Sequence, residues 1–282
     1  MSSRSRWFVS TEWLAAHLGA PDVVVVEGTY HLPTAGRNAE QEYLDGHIPG
    51  AVRFDIDVIK DPTSPYPHMM PPPDLFGAKV GKLGIGDGQT IVVYDAYGLF
   101  SAPRVWWNFR VMGARDVFIL DGGLPKWQAE GRPLEAGPVN RAPATFSARL
   151  DHSAIASAED VLAALNSGSA QVVDARGPAR FYGEVPEPRP DLRAGHMPGA
   201  KNLPFDILVK GGQLVDEDTI RSTFAKTGID VDRPIITSCG SGVTAAVLTL
   251  ALDSIGKTCR LYDGSWAEWG TRADLPVTTE AE

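Results

Sequence analysis

Short apolar runs alternate with helix-like patterns along this chain. In the first half, residues 22–27, 90–94 and 117–120 have the composition of buried strands, whereas residues 11–18 and 101–112 have the apolar spacing of helices. Strands that alternate with helices in this way predict βαβ units around a mostly parallel sheet. The first half is therefore expected to form an α/β domain.

The second half shows the same alternation. Strand patterns cover residues 171–174, 234–238 and 260–262, and an apolar helix is expected near 242–255. Ser157, with an acidic residue three positions later, has the form of a capping box ahead of another helix. A second α/β domain is predicted here.

Three sequence elements occur twice and in the same order. The pairs are GHIPGAVRFDID at Gly46 with GHMPGAKNLPFD at Gly195, IVVYDAYGLFSAPRV at Ile91 with IITSCGSGVTAAVLT at Ile235, and LDGGLPKW at Leu120 with YDGSWAEW at Tyr262. The copies lie about 145 residues apart, which is the size of a domain. The chain reads as a tandem duplication, and we predict domains at 7–138 and 157–275 joined by a linker at 139–156.

Composition narrows the class of protein. The 282 residues carry a formal net charge of −9, and both halves are acidic, which argues against nucleic acid or an anionic membrane as the main partner. No apolar run is long enough to span a bilayer, and we expect no secretory signal. Two cysteines rule out a disulfide scaffold and favour a reducing, cytoplasmic setting, and no metal-binding spacing of Cys or His occurs.

Cys239 carries the most informative local pattern. It ends an apolar strand and is followed by G-S-G-V-T and then a predicted helix. The N-terminal end of a helix directs backbone N–H groups and a positive dipole at the preceding turn, which lowers the pKa of a thiol and suits an anionic group. Gly240 and Gly242 permit a sharp turn and a close approach of the backbone. We interpret Cys239 as a nucleophile rather than a buried apolar residue.

These motifs resemble those of a known family. C-G-S-G-V-T at 239–244, the paired G-H-[IM]-P-G-A elements and the D-G-[GS] turns are similar to the tandem-domain rhodanese-like sulfurtransferases. Within that family the loop resembles the 3-mercaptopyruvate sulfurtransferases, as do TSPYPHMMP at 63–71 and SAPRVWW at 101–107. The resemblance covers about residues 7–275.

The resemblance implies a reaction and its partners. The donor would be 3-mercaptopyruvate, Cys239 would carry the sulfur as a persulfide, pyruvate would be released, and a thiol, a thioredoxin-like protein or cyanide would accept the sulfur. No organic cofactor is implied. The residues that match the substrate-binding positions of the family are Arg180, Arg189, Gly240, Gly242, Val243 and Thr244.

The family also uses a Ser–His–Asp relay near the sulfur. Matched onto this chain, the relay would comprise Ser241, His68 and Asp57, and it would activate a hydroxyl or deliver a proton as the C–S bond breaks. Since residues 57 and 68 lie in the first half of the chain, we expect the site to form between the two domains.

Three other functions share parts of this pattern. The loop Gly240–Ser241 is neutral, whereas thiosulfate enzymes of the family carry the cationic C-R-K-G-V-T, so a thiosulfate donor is disfavoured without being excluded. A persulfide carrier without turnover would need the loop but not the arginines. A phosphatase with the same fold would need an arginine where this chain has Ala245, so the sequence argues against that function.

The first half lacks the nucleophile. Asp95 occupies the position aligned with Cys239, and we interpret this half as catalytically silent. Cys259 is predicted to be a buried core residue on a strand. His47 and His196, which recur in both copies of the repeated motif, are predicted to be structural.

Overall fold

The computed structural model describes residues 6–280, which divide into two compact units. Unit 1 takes the described residues up to Pro62, together with Met70–Asp151 and Gly211–Gln213. Unit 2 takes Thr63–Met69, His152–Lys210 and the described residues from Leu214 onward. None of the helices within residues 6–280 has the length and apolar character that a membrane crossing requires.

Unit 1 is built on a five-stranded parallel sheet. The strands are β1 (Phe8–Val9), β2 (Val23–Glu27), β3 (Val52–Arg53), β4 (Thr90–Tyr94) and β5 (Val117–Leu120). Their order across the sheet is β1-β5-β4-β2-β3. All five residues of β2 are buried, as a central strand covered on both faces requires. The strand and helix positions predicted for this half are confirmed to within one or two residues.

Helices accompany these strands, and the sequence predicted two of them, at 11–18 and 101–112. The helices of unit 1 are α1 (Thr11–His17), α2 (Ala39–Asp45), α3 (Pro73–Lys82), α4 (Ala102–Val111) and α5 (Gly123–Ala129), with a short 3-10 helix at Pro33–Ala35. The side chain of Ser10 caps α1 by accepting a hydrogen bond from the N–H of Trp13 at 3.1 Å.

Unit 2 repeats the same sheet. Its strands are β6 (Ile155–Ala156), β7 (Gln171–Asp174), β8 (Lys201–Asn202), β11 (Ile235–Ser238) and β12 (Arg260–Tyr262). Outside this sheet, β9 (Val209–Lys210) and β10 (Gln213–Leu214) form a separate two-stranded ribbon. The sheet order is β6-β12-β11-β7-β8, which is the order of unit 1 with each strand replaced by its counterpart. The predicted tandem duplication is therefore confirmed at the level of topology.

The helices of unit 2 follow the same plan. They are α6 (Ala158–Ser167), α7 (Pro178–Phe181), α8 (Glu217–Lys226), α9 (Ala245–Ser254) and α10 (Ser265–Trp269), with 3-10 helices at His152–Ala154 and Phe205–Leu208. The predicted capping box is present, since Ser157 and Asp160 bind each other's backbone N–H groups.

Equivalent residues of the repeat make equivalent contacts. His47 stacks on Tyr43 with ring centroids 4.2 Å apart and donates from Nδ1 to the Tyr43 carbonyl at 2.7 Å. His196 stacks on Phe181 at 3.8 Å and donates to the Phe181 carbonyl at 2.9 Å. Both histidines thus fix the backbone of a helix end, which is a structural role.

The stretch predicted as a linker, 139–156, is packed rather than free. Phe146 is buried and lies 5.6 Å from the ring of Phe76 and 5.9 Å from that of Phe109, within unit 1. Ile155–Ala156 is the edge strand β6 of the second sheet. The absence of a sustained apolar period predicts a loop in this segment. Burial of single aromatic and branched side chains is nevertheless enough to anchor the segment to the two units.

Candidate active site

A strand, a turn and a helix position Cys239. This residue directly follows β11, and the turn leads into α9. Gly242 has a φ of 76°, in the left-handed region that favours glycine. Cys239 is 2% exposed, Val243 is buried beside it, and Thr244 occupies the N-cap position of α9. The sequence-predicted loop residues therefore surround the N-terminal end of a helix, where N–H groups and the helix dipole favour negative charge.

The D-G-S turn after β12 holds this loop in place. The Ser265 hydroxyl accepts a hydrogen bond from the N–H of Cys239 at 3.2 Å and donates one to a carbonyl at the end of β12 at 2.8 Å. The N–H groups of Trp266 and Ala267 donate to the carbonyls of Cys239 and Gly240 at 2.9 and 2.8 Å. Sequence reasoning did not assign Ser265 a role, although its place in a repeated turn between a strand and a helix was a usable signal.

His68 lies in unit 2, although the sequence places it in the first half of the chain. It is 2% exposed and has a φ of 61°, which is uncommon for a residue with a Cβ atom. Its Nδ1 atom donates to the backbone carbonyl of Ser241 at 3.2 Å. The structure thus brings together two of the three residues predicted for the relay, through the carbonyl of Ser241.

Asp57, the third residue of the predicted relay, belongs to unit 1. Asp57 is exposed and lies in the turn that follows β3. Its backbone N–H donates to the carboxylate of Asp55 at 2.8 Å. A contact between Asp57 and His68 stays a prediction. The segment Thr63–Met69, which lies inside the predicted first domain, is counted in unit 2 and interrupts unit 1.

Arg180 lies directly against the cysteine loop. It sits on α7, and a Cβ atom built at Gly240 would come within 2.7 Å of its Nη2 atom. Glycine at 240 therefore allows the guanidinium to reach the loop. The guanidinium also binds the carboxylate of Glu187, with Nη2 2.5 Å from Oε2 and Nε 3.3 Å from Oε1. Sequence reasoning predicted Arg180 but missed Glu187.

Arg189 lies on the segment between β7 and β8, two residues after Glu187. It is half-buried and belongs to unit 2, as do Arg180 and the cysteine loop. Both predicted substrate-binding arginines therefore come from one stretch of chain. An arginine fork matches the two oxygens of a carboxylate, which is the chemistry assigned to this pair in the sequence.

The aligned position in unit 1 holds a bound carboxylate. One oxygen of Asp95 accepts hydrogen bonds from the N–H groups of Phe100, Ser101 and Ala102 at 2.7–2.8 Å, and the other accepts from the N–H of Tyr97 at 2.8 Å. Asp95 is fully buried. The turn that precedes α4 is therefore an anion-binding cradle, and the chain fills it with its own carboxylate.

Cys259 differs from Cys239 in its surroundings. It lies immediately before β12 rather than on a strand, and it is half-buried as a residue. The burial of its sulfur raises the pKa of the thiol to about 12, so that the neutral form dominates throughout the physiological range. This second cysteine lacks the thiolate that nucleophilic sulfur chemistry requires.

We expect Cys259 to resist alkylation in the folded protein. At pH 8 a thiol with a pKa near 12 is ionised in only about one molecule in 10⁴, so iodoacetamide should leave it unmodified on a timescale on which free cysteine reacts fully. Peptide mass spectrometry after labelling checks this, and labelling in denaturant is the control that should modify both cysteines. Rapid modification of Cys259 in the native state would contradict the assigned environment.

Comparison with known proteins gives full-length matches. The sequence profile of the rhodanese-like domain matches residues 10–130 and 157–272. A 3-mercaptopyruvate sulfurtransferase of Escherichia coli K12 is 48% identical over 273 residues, covering 96% of this chain and 97% of the relative. A human 3-mercaptopyruvate sulfurtransferase is 44% identical and covers 95% of this chain and 93% of the relative.

A solved structure gives the same result. The crystal structure of SseA from Escherichia coli, described as showing the rhodanese fold and catalytic mechanism of 3-mercaptopyruvate sulfotransferases, superposes with a TM-score of 0.86. It is 45% identical in sequence, and the match covers 92% of this chain and 98% of SseA. The similarity therefore extends over both units.

Proposed function

This chain belongs to the rhodanese-like domain family and is a sulfurtransferase enzyme, and we propose that it takes sulfur from 3-mercaptopyruvate, carries it as a persulfide on Cys239 and passes it to a thiol or to cyanide. Pyruvate is the other product. The nucleophile is a free cysteine, which suits a reducing cytoplasm.

One observation carries the assignment of Cys239. In unit 1 the turn before a helix binds the carboxylate of Asp95 with four backbone N–H groups. Cys239 occupies the aligned turn of unit 2, and the two turns share a glycine with positive φ, Gly98 at 97° and Gly242 at 76°. Their backbones are also held alike, because Leu124 donates to the carbonyl of Asp95 as Trp266 does to that of Cys239. A turn that binds a carboxylate in one copy supports stabilisation of a thiolate and a persulfide in the other.

The proposed reaction has two half-reactions. In the first, the thiolate of Cys239 attacks the sulfur of mercaptopyruvate, an S–S bond forms, and the C–S bond breaks with its electron pair passing to carbon. Pyruvate leaves as its enolate and takes a proton. In the second, the thiolate of an acceptor attacks the outer sulfur, and Cys239 is released as the thiolate. A thioredoxin-like protein supplies such a thiolate.

We assign the keto-acid end of the donor to Arg180 and Arg189. The approach of Arg180 to Gly240 supports this, since it puts a guanidinium next to the sulfur-carrying loop. We further assign proton delivery to the enolate to Ser241 and His68, and the part expected of Asp57 stays a prediction. The hydrogen bond from His68 to the carbonyl of Ser241 supports their proximity.

Steady-state kinetics with two donors tests the proposal. We expect kcat/KM for mercaptopyruvate to exceed that for thiosulfate by at least about tenfold, because the loop adds no cation at 240 or 241 to bind a dianion. Both donors are measured against the same acceptor at the same ionic strength. A preference for thiosulfate would replace the proposed donor and leave the sulfurtransferase chemistry in place.

The silent unit gives a separate prediction. Asp95→Cys, made in a Cys239→Ser background, should acquire no sulfur from mercaptopyruvate, because this loop has Ala96, Tyr97 and Phe100 where the active loop has Gly, Ser and Thr. It should also lower the stability of unit 1 by about 1–3 kcal/mol, since four buried N–H groups lose their charged acceptor. Mass spectrometry and denaturant unfolding measure the two effects. Sulfur on the introduced thiol at a rate comparable with wild type would show that both units are competent.

A further inference from the structure

Glu187 lies between two arginines in the interior of unit 2. Its side chain is 2% exposed. Its Oε1 atom accepts hydrogen bonds from Nη1 of Arg176 at 2.8 Å and from Nε of Arg180 at 3.3 Å, and its Oε2 atom accepts from Nη2 of Arg180 at 2.5 Å. Charge-assisted bonds of this geometry are the strong class of hydrogen bond, so the three side chains form one unit.

Arg176 anchors this cluster to the fold. Its side chain is fully buried, its Nη2 atom lies 2.7 Å from the carboxylate of Asp174 at the end of β7, and it donates to the carbonyl of Gly195 at 2.9 Å. Its guanidinium lies 4.3 Å from the ring of Trp266, and the backbone N–H of Trp266 donates to the Cys239 carbonyl. Arg176, which is fixed by its bonds to Asp174 and Gly195, therefore holds Glu187 in place, and Glu187 in turn holds Arg180.

The geometry fixes the direction of Arg180. Its Nε and Nη2 atoms face Glu187, and Nη2 also lies next to Gly240. Among the described residues, none accepts a hydrogen bond from Nη1 of Arg180. That edge of the guanidinium is the one left to meet a substrate oxygen.

The charges of the cluster balance. Asp174 and Glu187 are negative and Arg176 and Arg180 are positive, so Arg180 offers directed hydrogen bonds without adding net charge. Coulombic attraction to a donor scales with the product of charges, so each uncompensated positive charge at the site favours a dianion over a monoanion, and the pairing of Arg180 with Glu187 removes the contribution of Arg180 to that preference.

We propose that Glu187 is a specificity-determining residue: by orienting Arg180 and neutralising its charge, it makes the site select a monoanionic α-keto acid over dianionic thiosulfate. This inference rests on the proposed function, because it assumes that Arg180 meets the donor. The carboxylate of Glu187 binds Arg176 and Arg180, and the proposal gives it no contact with the donor, so it acts as a positioning residue through Arg180.

Glu187→Gln tests the inference, with Glu184→Gln as the matched control. The control residue is an exposed glutamate on the same segment, and its removal changes the overall charge of the protein by the same amount. We expect Glu187→Gln to lower kcat/KM for mercaptopyruvate about tenfold and to maintain or raise it for thiosulfate, so that the ratio shifts by tenfold or more toward thiosulfate. The control should leave the ratio within about twofold of wild type.

Ionic strength supplies a readout that a purely structural role would not move. In Glu187→Gln, kcat/KM for thiosulfate should fall more steeply with added salt than in the wild type, because the uncompensated charge of Arg180 attracts the dianion. The rate of Cys239 alkylation by the neutral reagent iodoacetamide should change less than the donor ratio, because Glu187 binds Arg180 and the thiol itself is not altered. Equal loss of activity toward both donors, with an unchanged salt dependence, would overturn the inference.

Glu187→Asp keeps the inference testable if the glutamine variant does not fold. It retains the negative charge and shortens the reach to Arg180, so activity should fall while the donor ratio stays within about threefold of wild type. A shift of the ratio toward thiosulfate in this variant would overturn the role of charge. The donor preference of the wild-type protein tests the proposed function separately. A wild-type preference for thiosulfate would contradict the proposed function itself and not the role of Glu187 alone.

Discussion

Replacement of Cys239 by serine should abolish sulfur transfer, with kcat/KM reduced by more than about 10⁴-fold. A hydroxyl fits the space of the thiol and packs against the same neighbouring residues, but it cannot form a persulfide. The residue is 2% exposed and its backbone N–H and carbonyl are bound by Ser265 and Trp266, so the loop should keep its conformation. Activity assays with mercaptopyruvate, combined with thermal unfolding of the variant, measure both parts.

Cys259→Ser is the matched control for this experiment. Burial raises the pKa of Cys259 to about 12, and this cysteine has no part in the proposed reaction, so the variant should retain activity within a few-fold of wild type. Either of two results would contradict the assignment of the sulfur chemistry to Cys239. These are residual turnover by Cys239→Ser well above background, and loss of activity in Cys259→Ser with the fold intact.

Arg180→Lys should cost about 10- to 150-fold in kcat/KM for mercaptopyruvate, although the charge is kept. The guanidinium binds both oxygens of Glu187 and still lies against Gly240, and an ammonium group has neither the reach nor the planar geometry to do both. We expect a loss in the same range for Arg189→Lys, since the second fork is assigned to the same keto acid. Steady-state kinetics of the two variants gives these values.

Alkylation of Cys239 by the neutral reagent iodoacetamide is the control for the arginine variants. If the arginines bind the donor, the alkylation rate should change far less than kcat/KM. An arginine that acted by lowering the pKa of the thiol would change both rates together. Full mercaptopyruvate activity in both lysine variants would show that the carboxylate of the donor is bound elsewhere.

The fold could be predicted because both halves of the sequence show the same pattern of strands and helices. Apolar runs such as Val23–Glu27 and Ile235–Ser238 are short, continuous and bounded by turns, which is the pattern of buried parallel strands. The repeat then required the two halves to share one topology, and the strand orders of the two sheets agree. The place of Cys239 between a strand and a helix followed from the same local pattern.

The rest of the site depends on contacts that no local pattern encodes. Glu187 is bound to Arg176 and Arg180 in the interior, and sequence alone does not distinguish a glutamate in a buried ion pair from a solvated one. Ser265 binds the N–H of Cys239 across 26 positions of the chain, and His68 reaches the carbonyl of Ser241 across 173. Such long-range pairs are fixed by packing, and the sequence gives their members only as candidates.

The most direct test of the account is the location of the sulfur after the first half-reaction. The wild-type protein is incubated with mercaptopyruvate in the absence of an acceptor, freed of small molecules, and digested for peptide mass spectrometry, while pyruvate is measured in the filtrate. We predict one added sulfur on Cys239, none on Cys259, and one pyruvate released for each persulfide formed. Sulfur on Cys259, or release of pyruvate with no sulfur bound to Cys239, would contradict the central claim.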